Sequence, residues 1–246
     1  MNKLRLVCLT SGAAFLIGCA TDKPLLNPFK VPREEVQQRV KVVVVAPLSV
    51  DIELPNAKAT GGEFATLLIA ELNSIGFQTI PPSEYEQVFN RLRDEAGGFF
   101  DPLTGKTDKD KFLKVQEQCR QEMAAKYHAD AILYSSIKAH SAQFNMNVAH
   151  WDGVQETVFP GGTWTAAAFR ISAVGDVPAL SLYVTLEDIA GKRLYVDCGG
   201  LQLLAKAKLK TFVPVPPEDL LTNHTRNANA VRIAMSAFHA PAGKHD

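Results

Sequence analysis

A Gly-Lys-Thr triplet at residues 105–107 is the part of the sequence that most resembles a chemical motif. In a P-loop such a triplet helps to bind phosphate. The motif also needs a glycine five residues before the triplet, and the loop must follow a strand and open a helix. That earlier position is Phe100, and the residues preceding it have the pattern of a helix. We therefore interpret the triplet as a turn that leads into a helix, with Thr107 or Asp108 as the N-cap.

The other residue types that support catalysis or metal binding are scattered along the chain. The histidines show no spacing typical of a metal site; they are His128, His140, His150, His224, His239 and His245. Paired carboxylates lie at predicted helix starts, where they complement the helix dipole. No nucleophile elbow or triad signature is present in the sequence. The sequence therefore predicts no catalytic residue, no metal site and no cofactor.

The charge of the chain gives no sign of a charged partner. Lysine and arginine together number 26, and aspartate and glutamate also number 26, so the formal net charge is zero. No basic run is present, which argues against nucleic-acid binding. The hydrophobic fraction of 46% is typical of a globular protein.

The start of the chain has the pattern of an export signal. Lys3 and Arg5 precede an apolar run over residues 6–17, which is shorter than the ~20 residues that span a bilayer. The run ends in the sequence LIGC, which resembles the lipobox of bacterial lipoproteins. This resemblance implies a signal peptide over residues 1–18 and acylation, such as palmitate, of the Cys19 thiol. The alternative is a plain signal peptide with an incidental cysteine.

The residues after Cys19 predict where the protein resides and where its domain begins. Ala20 stands where an aspartate tends to retain lipoproteins in the inner membrane, so the resemblance implies the periplasmic face of the outer membrane. Several prolines follow, which favour an extended tether. We predict that residues 19–32 form the lipidated cysteine and tether, residues 33–240 a single periplasmic domain, and residues 241–246 a flexible tail.

The first half of the domain predicts strands separated by helices. The β-branched run at residues 40–50 indicates a strand that is covered on both faces. Gly76 is expected to end the first helix, and Ser83 with Glu86 to form a capping box at the second. A third helix has an apolar stripe of Phe112, Val115, Cys119 and Met123, and a strand over residues 131–144 follows it. The order β-α-β-α-α-β favours a mixed, largely parallel sheet with packed helices.

The second half of the domain predicts antiparallel structure. Residues 180–187 and 193–198 alternate between apolar and polar types around a turn at residues 188–191, as expected of a hairpin. Residues 145–176 have no clear period, and we expect either a surface loop or a hairpin around the sequence WDGVQETVFPGGTW. The pattern of residues 217–239 predicts a closing helix.

The order of these segments resembles one known superfamily. The segments are VVVVAPL, GFQTIPP, HADAILYSSI and LYVTLEDIAGKRLY, and they follow the lipobox in that order. This order resembles the curli-secretion-lipoprotein-like (CsgG-like) superfamily of bacterial envelope lipoproteins, which includes the amino-terminal domain of the Tol translocation protein. The implied fold is an α/β layer of the anticodon-binding-domain type. The match covers roughly residues 40–204.

The resemblance implies a non-catalytic envelope lipoprotein that acts as an accessory or assembly subunit through protein–protein contacts. Its partners would be the membrane, through the lipid anchor, and other envelope proteins or further copies of the chain. The alternative is an oligomeric secretion channel of the curli type, with residues 141–174 as the inserted segment. Arg170 falls on the same face as apolar residues of that segment, so in a barrel it would face lipid. An arginine facing lipid costs ~2–4 kcal/mol at the midplane, which argues against the channel.

Five residues remain as candidates for specific roles. Trp151, Phe159 and Trp164 are candidate partner contacts, because exposed aromatic rings often anchor interfaces. The alternative is that these rings fill the core of the domain. Cys119 and Cys198 either form a disulfide, which is allowed outside the cytoplasm, or remain two buried thiols.

Overall fold

The computed structural model describes residues 27–100, 104, 106–145, 147–159, 174–208 and 211–239. Cys19 and Trp164 lie outside these ranges. The five helices of the described ranges are α1 (Arg33–Arg39), α2 (Ala57–Ile75), α3 (Pro82–Glu95), α4 (Lys109–Tyr127) and α5 (His224–Ala234). The strands are β1 (Val42–Val45), β2 (Ser49–Val50), β3 (Gln78–Ile80), β4 (Ala131–Asn145), β5 (Val148–Trp151), β6 (Val154–Thr157), β7 (Val174–Asp188), β8 (Arg193–Leu203), β9 (Ala205–Lys208) and β10 (Thr211–Pro214).

The long strand β4 organises the main sheet. Along one side it pairs with β1 and β2 in parallel and then with β5, which is antiparallel. Along its other side it pairs with β7 in an antiparallel ladder from Ala131–Asp188 to Asn145–Val174, and β8 continues the sheet beyond β7. Strand β3 joins β1 in parallel, while β9 and β10 form a separate antiparallel hairpin. The predicted fold class, an α/β fold with a mixed sheet, packed helices and a C-terminal antiparallel hairpin, is confirmed, and the sheet is partly rather than largely parallel.

The two faces of the sheet are covered by different elements. One face packs against α2 and α5, with Phe64, Leu68 and Leu72 of α2 buried on it. The other face packs against α3 and α4, where Val115, Cys119 and Met123 of α4 are buried as predicted. Phe112, the fourth residue of the predicted stripe, is 36% exposed. A third cluster lies at the far end of β4 and β7; its members include Phe144, Trp151, Val158, Phe159, Val177 and Leu203.

The helix ends show which local sequence signals decide a boundary. Gly76 ends α2 in the left-handed region, at φ 104°, and the Asp108 side chain caps α4 by accepting from the Lys111 amide, both as predicted. The capping box predicted from Ser83 and Glu86 is wrong. Helix α3 begins at Pro82, so the N-cap position is Pro81 instead of Ser83, and no side chain caps it. A proline at the first helical position already has a helical φ, which favours this earlier start.

The predicted closing helix is divided. Residues 217–219 form a short 3₁₀ helix, and α5 begins only at His224. Asn223 sets this start, because its side chain accepts a hydrogen bond from the Arg226 amide at 3.1 Å. Between the two helices Leu221 adopts a positive φ of 58°, which breaks the helical path.

Residues 28–30, which the sequence analysis assigns to the tether, pair with β8. The Pro28 carbonyl accepts from the Val196 amide, and the Lys30 amide donates to the Leu194 carbonyl, both at 2.9 Å. Between these bonds the Phe29 ring is buried, with its centroid 4.9 Å from the rings of Tyr195 and Phe238. Residues 28–30 therefore cover the outer edge of β8 and are not part of a free tether.

Candidate functional site

A polar cluster lies between β4, β7 and the β5–β6 turn. His140 extends from β4, Ser181 from β7 and Asp152 from the turn. The Nε2 atom of His140 is 2.8 Å from the Ser181 Oγ atom and 3.3 Å from the Asp152 Oδ2 atom. Ser181 is fully buried, and the side chains of His140 and Asp152 are 13% and 9% exposed. These residues are separated in the sequence and meet because the strands carrying them pair.

A tight turn positions Asp152 in this cluster. Asp152 and Gly153 connect β5 to β6 with φ values of 39° and 78°, as expected for a two-residue hairpin of the Asp-Gly type. The hairpin is fixed at both sides of the turn, since the Trp151 indole donates to the Leu180 carbonyl at 3.1 Å and the Gly200 amide donates to the Asp152 carbonyl at 2.9 Å. Of the two structures expected around WDGV, the hairpin is therefore the one that forms.

The geometry of the cluster differs from that of a catalytic triad. In a triad the histidine contacts the nucleophile with one ring nitrogen and the carboxylate with the other. Here Ser181 and Asp152 both approach the same nitrogen of His140. Ser181 also has no exposed surface through which a substrate could reach its hydroxyl. The arrangement fits a buried polar network that joins the hairpin to the sheet.

The environment of Asp152 favours its charged form. Burial alone would raise the pKa of this carboxyl, but the contacts with His140, Ser181 and Cys198 outweigh burial and lower the pKa below its ordinary value. Because the folded pKa is lowered, Asp152 contributes stability above its unfolded pKa, and this contribution is lost as pH falls through the folded pKa. The charged form of Asp152 therefore contributes to the stability of the folded domain at neutral pH.

A second acidic group, Asp197 of β8, has the opposite shift. Burial is the main cause that raises its pKa, and the charge of Asp152 adds to the effect. The Tyr195 hydroxyl lies 2.8 Å from the Ala234 carbonyl and 3.1 Å from the Asp197 Oδ2 atom. Its single proton can serve only one of these acceptors at a time. When the Tyr195 hydroxyl donates to Asp197 it favours the charged carboxylate, which partly offsets the effect of burial on the pKa.

Two of the three aromatic residues predicted as partner contacts belong to the described part of the chain, and both lie inside the domain. Trp151 and Phe159 are each 3% exposed, and both belong to the cluster at the far end of β4. The Phe159 amide also donates to the Asn147 side chain at 2.6 Å. The expectation of an exposed surface is therefore corrected for these two rings, which fill the core because the hairpin folds onto the sheet. Trp164 lies outside the described residues.

The two cysteines lie in different environments and no bond joins them. Cys119 is buried between α4 and the sheet, beside Tyr85 of α3, and burial raises the pKa of its thiol to about 11. Cys198 is half-buried on β8, paired with Tyr183 and in contact with Asp152. The structure thus places the thiols as two separate groups.

An exposed apolar surface lies where the chain passes from α3 to α4. Phe100, Phe112 and Leu113 are 67%, 36% and 56% exposed. Phe99 packs against Phe112 with ring centroids 5.3 Å apart, and both rings lie within about 6 Å of the half-buried Phe89. We call Phe99, Phe100, Phe112 and Leu113 the phenylalanine surface. The sequence carries no signal for the phenylalanine surface, because Phe112 fits the periodicity of the buried stripe of α4.

Two negative findings concern the described parts of the chain. No helix there is both long enough and apolar enough to cross a membrane. Among the same residues, histidine, cysteine, aspartate and glutamate form no group of three or more that could hold a metal ion.

Comparisons with known proteins give only distant likenesses. No protein-family model matches the chain, and no curated protein matches it significantly. The PelC L103M dodecamer from Paraburkholderia phytofirmans, in space group C2, has a TM-score of 0.36 at 12% identity, covering 82% of this chain and 90% of that chain. The PelC dodecamer from the same organism, in space group P6, has a TM-score of 0.33 at 12% identity, covering 81% and 87%. At these scores the likeness carries no argument about function.

Proposed function

We propose that this protein is a lipid-anchored envelope protein whose α/β domain acts as a non-catalytic accessory or assembly subunit. The observation that carries the proposal is the phenylalanine surface. Large apolar side chains in water are costly unless a partner covers them, and aromatic residues are enriched where interfaces are most tightly bound. The partner would be another envelope protein or a further copy of this chain.

The buried polar cluster supports a role that does not involve catalysis. Its serine is inaccessible, and Ser181 and Asp152 both approach the Nε2 atom of His140, which differs from the geometry of a catalytic triad. The network instead joins the β5–β6 hairpin to the sheet. A rigid domain of this kind suits a subunit that presents a fixed surface.

The lipobox-like sequence ending at Cys19 supports the anchor and limits where the partner lies. Eight residues lie between Cys19 and Pro28, where the paired segment begins. A fully extended chain of that length reaches at most about 30 Å. The membership of the CsgG-like superfamily and the outer-membrane location are parts of the same proposal. A domain tethered in this way would meet partners close to the membrane.

A photo-crosslinking amino acid at position 100 tests the phenylalanine surface in intact cells. We expect a discrete adduct, and we expect Leu113→Ser in the same chain to remove it while leaving the melting temperature unchanged. The matched control places the same crosslinker at Phe212, which is 46% exposed on β10. An adduct with the chain itself would identify a homo-oligomer. If positions 100 and 212 gave the same diffuse products, the phenylalanine surface would have no partner.

Replacing Cys19 by alanine tests the anchor separately. The wild-type protein is expected to take up labelled palmitate and to sediment with membranes, whereas the Cys19→Ala protein should do neither. A variant that still sediments with membranes, together with an unlabelled wild type, would refute the lipid anchor. That outcome would leave the crosslinking result unaffected.

A further inference from the structure

A cavity of about 760 Å³ lies between the β9–β10 hairpin, the end of β8 and the start of α5. Its size is within the range of sites that hold small ligands. Most of its wall is apolar, and the apolar residues are Phe159, Leu203, Ala207, Val213, Pro214, Val215 and Pro216. Such a wall fits an apolar chain or ring.

One part of the wall is charged. The Glu156 side chain, 10% exposed, has its Oε1 atom 3.3 Å from the Lys206 Nζ atom and 3.2 Å from the Arg226 Nη1 atom. The other oxygen, Oε2, accepts from the Leu203 amide at 3.1 Å. The contacts at Oε1 are close enough for ion pairs, yet that buried oxygen has no hydrogen bond of normal geometry. Glu156 is thus well anchored at one oxygen and loosely held at the other.

A local excess of one positive charge lies beside Glu156. Two cations share one carboxylate, and their side chains are 46% and 43% exposed, so a ligand in the cavity can reach them. Lysine and arginine together carry eight N–H donors, far more than one carboxylate oxygen can accept. Asp219 also lines the cavity and brings the formal charge of the whole lining to zero. The local excess beside Glu156 therefore directs an anionic group to Lys206 and Arg226 and to no other part of the wall.

We propose that the cavity binds an amphipathic anion, an alkyl chain that carries a phosphate or carboxylate head group. The chain would lie along the apolar wall, and the head group would accept hydrogen bonds from Lys206 and Arg226. Glu156 competes for the same two cations through its Oε1 atom and stays attached to the Leu203 amide through Oε2 when the ligand displaces Oε1. This inference is independent of the proposed function, since it uses a different surface.

A photoreactive dodecyl phosphate tests the proposal on the full chain reconstituted in discs of zwitterionic lipid. We expect labelled peptides within residues 202–226, with unlabelled dodecyl phosphate as a competitor. Arg226→Gln and Lys206→Gln should each weaken labelling about fivefold, as for a half-exposed charge pair. Glu156→Gln should strengthen it, because the amide keeps an acceptor for Leu203 but no longer attracts the cations. Arg232→Gln, on the same helix but paired with Asn229, is the matched control.

Competition experiments separate this ligand class from simpler ones. Dodecyltrimethylammonium and inorganic phosphate should both fail to compete with the labelled ligand. Competition by dodecyltrimethylammonium would mean that the cavity binds apolar chains without selecting the head group. Competition by inorganic phosphate would mean that the site binds any small anion. Either result would overturn the proposal, as would weaker labelling of Glu156→Gln with unchanged melting. Competition by phosphatidylglycerol added to the discs would assign the head group to a bilayer lipid, and its absence to a free amphiphile. Both of these outcomes support the site.

Discussion

Replacing Gly199 by alanine is expected to destabilise the domain strongly. Gly199 lies on β8 directly under α5, and a Cβ atom there would be 2.1 Å from the Ala230 carbonyl oxygen and 2.8 Å from the carbonyl carbon. Both contacts are with helix backbone, so no side chain can rotate to relieve them. The helix would have to move away from the sheet by about 1 Å, since packed atoms do not approach so closely.

The size of the loss in unfolding free energy follows from the residues that α5 buries. Ala230, Val231 and Ala234 are all at most 2% exposed, and their contacts with the sheet would be loosened together. Overpacking of a core costs about 1–3 kcal/mol, and a clash with backbone belongs at the upper end. We therefore expect Gly199→Ala to lose about 3 kcal/mol of unfolding free energy, which lowers the melting temperature by roughly 6–12 °C for a domain of this size.

Urea unfolding followed by circular dichroism measures this loss, and Gly62→Ala is the matched control. Gly62 lies inside α2, and a Cβ atom there meets nothing within 4 Å. Alanine in a helix interior is better than glycine by about 0.5–1 kcal/mol, so the control should be stabilised. The same change from glycine to alanine is thus expected to lower the free energy of unfolding at position 199 and to raise it at position 62. A Gly199→Ala protein within 0.5 kcal/mol of wild type would refute the predicted contact between α5 and β8.

Two further predictions concern buried titratable groups. Asp197→Asn should stabilise the domain by about 1 kcal/mol at pH 7, because the asparagine amide can donate to the Tyr195 oxygen without first binding a proton. Because the folded pKa of Asp197 is raised, the wild type gains stability as pH falls through that pKa. The difference in melting temperature between Asp197→Asn and wild type should therefore close below pH 4. A difference that stays constant with pH would contradict this reasoning. A pKa of about 11 for Cys119, against an ordinary 9.0, lowers its thiolate fraction about a hundredfold, so iodoacetamide at pH 8 should modify it far more slowly in the folded than in the urea-unfolded chain. Mass spectrometry of the time course checks this, and equal rates would contradict it.

Strong local patterns in the sequence predicted the buried face of one strand and two helix boundaries. The alternation of Leu180, Leu182, Val184 and Leu186 with polar residues gave the buried face of β7, because a strand with one side on a core must alternate. Gly76 and Asp108 set helix boundaries through backbone geometry that depends on neighbouring residues only. These features need no knowledge of distant contacts.

The features that depended on distant contacts were missed. His140, Asp152 and Ser181 come together only because β4 pairs with β7 and the β5–β6 hairpin folds back on them. The Asp-Gly pair at residues 152–153 was the available signal for that hairpin, but its position over the sheet is set by packing. The burial of Trp151 follows from the same packing, since exposure cannot be read from residue type.

The two glycines of β8 connect the fold to the cavity. Gly199 and Gly200 are adjacent in a strand, so the missing side chains leave space on opposite faces. The first admits the backbone of α5, and the second admits the Trp151–Val154 turn, whose atoms would lie 2.2 Å and 2.9 Å from a Cβ atom. Arg226 belongs to α5, and Glu156 follows that turn on β6. The distance between these charged groups therefore depends on both glycines, and an alanine at either position should alter ligand binding in the cavity as well as stability.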